Sequence, residues 1–114
     1  DDVARSLISG ERECNPQQCG SVCDAILTPA PGKLTLPIMQ ALCGPGLVVT
    51  DDEALRAVAL AHQHLRIVLE PGGAVALAAA LFRPEQLSGD RVIAVATGGN
   101  IDPSLLEKVL SEYR

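Results

Sequence analysis

The sequence predicts a small α/β domain over residues 1–114, in which a mainly parallel sheet lies between helices in a three-layer arrangement. Three observations carry that prediction. Short β-branched runs alternate with helix-like segments, the order of strands joined by helical crossovers. The segment that opens at Asp51-Asp52-Glu53 repeats its apolar residues at helical spacing. The run RVIAVA (91–96) is apolar at nearly every position, as a strand covered on both faces would be. Only three short strands are predicted, so the sheet is small and its faces and edges call for further polypeptide to cover them.

The elements follow in order. Residues 2–9 read as a short helix with Asp available as a cap and Gly10 as its stop. Residues 10–20 are polar, contain Asn15-Pro16 and Cys19-Gly20, and read as loop. Residues 22–27 read as a short strand, and TPAPGKLT (28–35) as a turn-rich connection. Residues 36–42 form a predicted helix capped by Thr35, with Pro37 tolerated in its first turn. LVVT (47–50) is a strand. Asp51-Asp52-Glu53 then places acidic side chains at the positive end of the clearest helix, and Leu55, Val58, Ala59, Ala61, Leu65 and Val68 form its apolar face. Glu70-Pro71-Gly72-Gly73 breaks that pattern. Residues 74–82 are apolar all round and alanine-rich, which predicts a buried, closely packed helix rather than a strand. Residues 83–90 are loop and residues 91–96 the third strand. Residues 103–113 form an amphipathic helix with Asp102 as cap and Pro103 at its first position.

Composition narrows the function. Of 114 residues, 47% are hydrophobic, so the chain can bury a core, and with one Phe, one Tyr and no Trp that core is aliphatic. Too few aromatic rings exist for a base-stacking platform, and a net charge of −5 without a basic run excludes phosphate-backbone binding, so no nucleic-acid partner is expected. The longest apolar run, 74–82, is too short to cross a bilayer, no signal peptide is visible, and a cytoplasmic protein is expected. Cys14, Cys19, Cys23 and Cys43 lack a CxxC spacing and a neighbouring His, which suits thiols in a reducing cytosol better than zinc; a disulfide stays open. The chain opens on Asp1-Asp2 rather than methionine, which suggests a processed product or a piece of a longer protein.

Two glycine corners stand out. ATGGN (96–100) ends the last predicted strand, where ligands of open α/β sheets bind. Gly98 and Gly99 allow a tight turn and a close approach, Thr97 offers a hydroxyl, and Asn100 an amide. The plainer reading is a glycine turn that joins strand to helix. EPGGA (70–74) is the second corner, with Glu70 either a solvated helix end or a carboxylate facing a pocket. His62 and His64 fall two apart and cannot hold a metal together on one helix face. Asp51-Asp52-Glu53 reads as a dipole-matching cap, and Asp1-Asp2 likewise, although paired carboxylates also suit a hard cation. No Ser-His-Asp set, P-loop or GxGxxG occurs. Lys33 and Lys108 are the only lysines, and neither sits where it would be activated.

Six blocks occur in a familiar order: DDVARSLISGE (1–11), NPQQ (15–18), VCDAILTPAPGKLTLPI (22–38), GLVVTDDE (46–53), VLEPGGAVALAAAL (68–81) and VIAVATGGNIDP (92–103). Together they resemble the C-terminal part of the catalytic domain of the serine/threonine dehydratase (threonine ammonia-lyase) and serine racemase family. These are pyridoxal-phosphate enzymes of the tryptophan-synthase-β-like fold (fold type II), and the resemblance covers essentially the whole chain. It implies that the Thr97 hydroxyl bonds the pyridine nitrogen of pyridoxal phosphate, where the family usually has Ser or Cys. It implies that Gly98 and Gly99 let the ring approach, that Asn100 braces the turn, and that Glu70 matches a glutamate near the ring. Asp2 matches a carboxylate that in some members ligates a structural divalent cation, whose other ligands would lie upstream. A hydroxyl is too weak an acid to keep the ring nitrogen protonated, which gives a milder electron sink suited to β-elimination.

The family's Schiff-base lysine belongs to a Ser-x-Lys motif, and neither that motif nor the phosphate-binding glycine loop occurs in these residues. No catalytic residue is therefore assigned within the chain. The resemblance implies a piece of a dehydratase or racemase acting on a hydroxy-amino acid, inactive alone and completed by an N-terminal half or a homo-oligomer. The alternative is a non-catalytic α/β fragment that self-associates through its exposed sheet.

Overall fold

The computed structural model describes residues 1–16 and 20–113. The stretch 17–19 of the expected loop, Cys19 included, lies outside the described residues. The chain divides into two compact units, one formed by Asp1–Gly20 with Ile26–Val48, the other by Ser21–Ala25 with Val49–Arg114.

In the first unit, α1 (Asp2–Ser9) buries Asp2, Ala4 and Ser6. Ser6 is fully buried and uses both functions of its hydroxyl: Oγ donates to the Asp2 carbonyl at 2.6 Å and accepts from the Glu13 N–H at 2.9 Å. Gly10 closes α1 at φ 78°, a left-handed position that suits glycine, and its N–H donates to the Ser6 carbonyl. Asp1 occupies the cap position without capping. Its carboxylate accepts instead from Arg5 Nε at 2.9 Å. The second helix, α2 (Thr35–Leu42), takes in Thr35, the expected cap, whose hydroxyl donates back to the Gly32 carbonyl.

The second unit begins its helices with α3 (Asp51–Leu60), which carries a complete capping box. The Glu53 N–H donates to Thr50 Oγ1 at 3.2 Å, and the Thr50 N–H donates to Glu53 Oε2 at 2.8 Å. Beyond Leu60 the helix widens to one π-turn, Ala61–Leu65, and stops at Arg66 with φ 59°. Next comes α4 (Pro71–Phe82), which starts at Pro71 rather than at residue 74. Proline presets the first helical φ, and the two glycines are absorbed into the first turn. The last helix, α5 (Pro103–Glu112), is capped as expected, with Asp102 Oδ1 accepting from the Ser104 and Leu105 N–H groups.

The core of this unit is largely alanine: Ala57, Ala59, Ala61, Ala74 and Ala78 are buried with Val58, Leu69 and Val109. Small side chains on facing helices let α3 and α4 approach closely, while Leu77, Phe82, Leu105 and Leu110 close the periphery. A pair of basic side chains ties the edge. Arg56 lies over the Phe82 ring at 4.6 Å, and Arg83 donates to both carboxylate oxygens of Glu53.

Two predicted features are corrected. Residues 22–27 are not a strand but bend through a 3₁₀ turn at Asp24–Ile26. The cause is visible: the Val22 N–H donates to Asp51 Oδ2 and the Cys23 N–H to Ser21 Oγ, so amides that a ladder would need are already bonded. Residues 47–50 and 91–96 are not in helix, yet no strand is paired among the described residues. A strand exists by pairing with a neighbour, and 91–96 has its apolar side chains open, with Ile93 93% and Val95 63% exposed.

The acidic caps make stability pH-dependent. The bond from the Thr50 N–H, reinforced by Arg83, holds the Glu53 carboxyl below its ordinary value of 4.5. The Ser104 hydroxyl and amide do the same for Asp102, whose ordinary value is 3.8. Groups lowered on folding stabilise the fold at pH values above their unfolded pKa, and that contribution disappears as pH falls through the folded values. The melting temperature is therefore expected to be level above about pH 5 and to drop progressively below about pH 4. Melting curves of Glu53→Gln, read against pH, should start lower at neutral pH and show a shallower acid slope.

Candidate functional site

The site residues of the two glycine corners meet within the second unit. The main chain builds the contact. The Glu70 N–H donates to the Gly98 carbonyl at 3.0 Å, and the Thr97 N–H to the Gly73 carbonyl at 3.4 Å. Side-chain-free positions allow the approach. A Cβ on Gly73 would fall closer than 3.0 Å to the carbonyl and amide of Gly98, and one on Gly99 would meet the Val68 carbonyl. At Gly98 the obstacle is a side chain: Glu70 Oε1 lies 2.5 Å from where that Cβ would stand. At Gly73 and Gly99 glycine is required by proximity to main chain rather than by a left-handed φ.

This junction leaves polar groups outward. Thr97, Gly99 and Asn100 are exposed, and Gly98 and Glu70 are half-buried. Thr97 follows residues 91–96, its amide donating to the Gly73 carbonyl, and the residue is exposed. Asn100, which the resemblance assigns to brace the turn, stands at the outer end of the corner. It is exposed, and the Glu70–Gly98 and Thr97–Gly73 backbone bonds join the two corners. Gly73 and the Val68 carbonyl were not singled out from the sequence. The paired GG doublets were the available signal, since two glycine pairs suggest two backbones in contact.

Asp2 lies in the first unit and is buried. Its Oδ1 accepts from Asn15 Nδ2 at 3.2 Å and its Oδ2 from Thr28 Oγ1 at 3.4 Å. Among the described residues, no group of three His, Cys, Asp or Glu side chains could hold a metal ion. The triplet after Thr50 lies in the first turn of α3, as a dipole-matching cap requires, and each carboxylate also has a partner of its own. Asp51 accepts from Ser21 Oγ at 2.5 Å, Asp52 accepts from the Tyr113 hydroxyl at 2.8 Å, and Glu53 closes the capping box. Donating to Asp52 raises the Tyr113 phenol above its ordinary pKa, and burial raises the Cys23 thiol, which keeps it protonated and unreactive. His62 is half-buried and His64 exposed in the π-turn. Among the described residues no helix is long and apolar enough to cross a membrane.

Known proteins share this sequence and this fold. The family model described as "Pyridoxal-phosphate dependent enzyme" matches residues 1–98. Serine racemase of Dictyostelium discoideum is 36% identical over 97% of this chain and 35% of its own length. Beta-hydroxyaspartate dehydratase of Paracoccus denitrificans is 39% identical over 72% of this chain and 26% of its own length. The crystal structure of a threonine deaminase from T.th. superposes with a TM-score of 0.84 at 30% identity, covering 90% of this chain and 37% of that one. The chain thus spans 35% and 26% of the lengths of these two curated relatives. The likeness supports the tryptophan-synthase-β-like α/β fold. On the family match over residues 1–98, the chain belongs to the pyridoxal-phosphate-dependent enzymes.

Proposed function

We propose that the chain carries the ring-holding corner of a pyridoxal-phosphate enzyme that acts on a hydroxy-amino acid, as a dehydratase (ammonia-lyase) or a racemase. The observation that carries the reading is the Thr97 junction: an exposed threonine on a backbone corner hydrogen-bonded to the start of α4. The donor set fits the cofactor. A hydroxyl both donates and accepts, which matches a heteroaromatic nitrogen, and Gly98 and Gly99 put no side chain of their own against a flat ring. When bound, pyridoxal phosphate supplies an electron sink for the substrate's α-carbon. Thr97 orients the ring, Gly98 and Gly99 admit it, and Glu70 stands beside the same corner. The names of the relatives, serine racemase and beta-hydroxyaspartate dehydratase, support the substrate class.

The chain is read as the C-terminal segment of that enzyme's catalytic domain, whose cofactor-linking lysine comes from the preceding segment. Its partner is then the complementing N-terminal half or a second subunit. A reducing, cytoplasmic setting suits the free thiols of Cys14, Cys23 and Cys43. Titration with pyridoxal phosphate, alone and with the N-terminal portion of a family enzyme supplied in trans, tests the reading through the cofactor's visible absorbance. A new band and deaminase activity are expected on complementation. Thr97→Ala should lower turnover roughly 10- to 100-fold while the cofactor stays attached, the scale of losing one transition-state hydrogen bond. Complete loss of attachment in that variant contradicts the role.

A second reading rests on the open faces of 91–96, where Val92, Ile93 and Val95 are 50%, 93% and 63% exposed. It holds that the chain is a non-catalytic, self-associating fragment. Sedimentation decides: a defined oligomer that neither gains a band nor responds to the complementing half favours this reading.

A further inference from the structure

We propose that Glu70 is a positioning residue whose carboxylate, seated where Gly98 has no Cβ, fixes the corner that presents the Thr97 hydroxyl; the inference rests on the function proposed for Thr97. Glu70 is the N-cap residue of α4, yet its side chain bonds none of the first-turn N–H groups of that helix. The carboxylate turns instead toward Gly98, with Oε1 2.5 Å and Cδ 3.2 Å from the place of the missing Cβ. The main chain of Glu70 grips the same residue, its N–H donating to the Gly98 carbonyl at 3.0 Å. Glu70 therefore bonds Gly98 through its main chain and lays its carboxylate beside the same residue, and Gly98 is covalently joined to Thr97. Among the described ion pairs none involves Glu70, so no protein cation draws the carboxylate elsewhere.

Gly98 and Gly73 separate the seat from the general tightness of the junction. At Gly73 an added Cβ strikes backbone. At Gly98 it strikes only the far end of a flexible side chain, and φ there is not left-handed, so alanine at 98 leaves the main chain unstrained. Gly98→Ala is consequently a variant that folds and evicts one carboxylate. Glu70→Asp draws the carboxylate back by about one C–C bond, roughly 1.5 Å, and frees the space the new methyl needs.

The test is a cycle of Gly98→Ala, Glu70→Asp and the double variant, read in two ways. Without cofactor, thermal melting should show Gly98→Ala below wild type and the double variant restored toward it. With pyridoxal phosphate, in the chain or complemented form that binds it, Gly98→Ala should lower affinity about 10-fold and shrink the cofactor's visible circular dichroism. Glu70→Asp alone, which draws the carboxylate off its seat, should lose several-fold in both, and the double variant should do better than Gly98→Ala. Glu70→Asp with wild-type affinity and dichroism overturns the proposal. A double variant no better than Gly98→Ala in either reading overturns the proposal while leaving Thr97 its role. A wild type that binds no pyridoxal phosphate in any form overturns the role of Thr97 and this inference with it.

Discussion

Gly73→Ala is expected to destabilise the chain by about 3 kcal/mol and to lower its melting temperature by about 10 °C or more. The Cβ it adds would stand closer than 3.0 Å to the carbonyl and amide of Gly98, and no side chain can yield, because both partners are main chain. Gly73 is buried in the first turn of α4, so it cannot retreat without breaking helical hydrogen bonds. Gly98 cannot retreat without losing the Glu70 and Thr97 backbone bonds. Differential scanning calorimetry checks the size, and Gly98→Ala, which meets only a movable carboxylate, should lose less than half as much. Equal losses at both positions would show that the junction is not held by backbone contact at Gly73.

Ala78→Leu should cost a similar amount, about 3 kcal/mol, for a different reason. Ala78 is wholly buried within the alanine core that α3 and α4 share. A leucine there adds three carbons where the helices have left no space, so the pair must separate and its surroundings loosen. Urea denaturation should show a lower midpoint, and Ala76→Leu on the half-buried side of the same helix should show a much smaller change.

What was legible in the sequence were the local signals. Thr50 three residues before Glu53, Asp102 before Pro103, and Gly10 after an amphipathic turn each mark a helix end by chemistry that a few adjacent residues complete. The alanine-rich run at 74–82 likewise declared a helix, because alanine is the best helix former and the run lacks a strand's β-branched bias. Strands were less legible, since a strand needs a partner and local propensity cannot supply one. Residues 22–27 have strand-like composition, yet Asp51, far along the chain, captures the amide of Val22. The same limit applied to the site. Both glycine corners could be picked out one at a time, and the family resemblance brought Glu70 and Thr97 to one cofactor. That Gly73, Gly98 and the Glu70 carboxylate share one small volume is a long-range fact with only the repeated GG doublet to hint at it.

The central claim is that Thr97 meets the ring nitrogen of pyridoxal phosphate. A crystal structure of the chain, complemented if binding requires it and grown with pyridoxal phosphate, tests it most directly. The account predicts Thr97 Oγ1 at hydrogen-bond distance, about 2.7–3.0 Å, from the pyridine nitrogen, with the ring lying over Gly98–Gly99. A bound cofactor whose nitrogen faces another group, with the Thr97 hydroxyl turned to solvent, would contradict it.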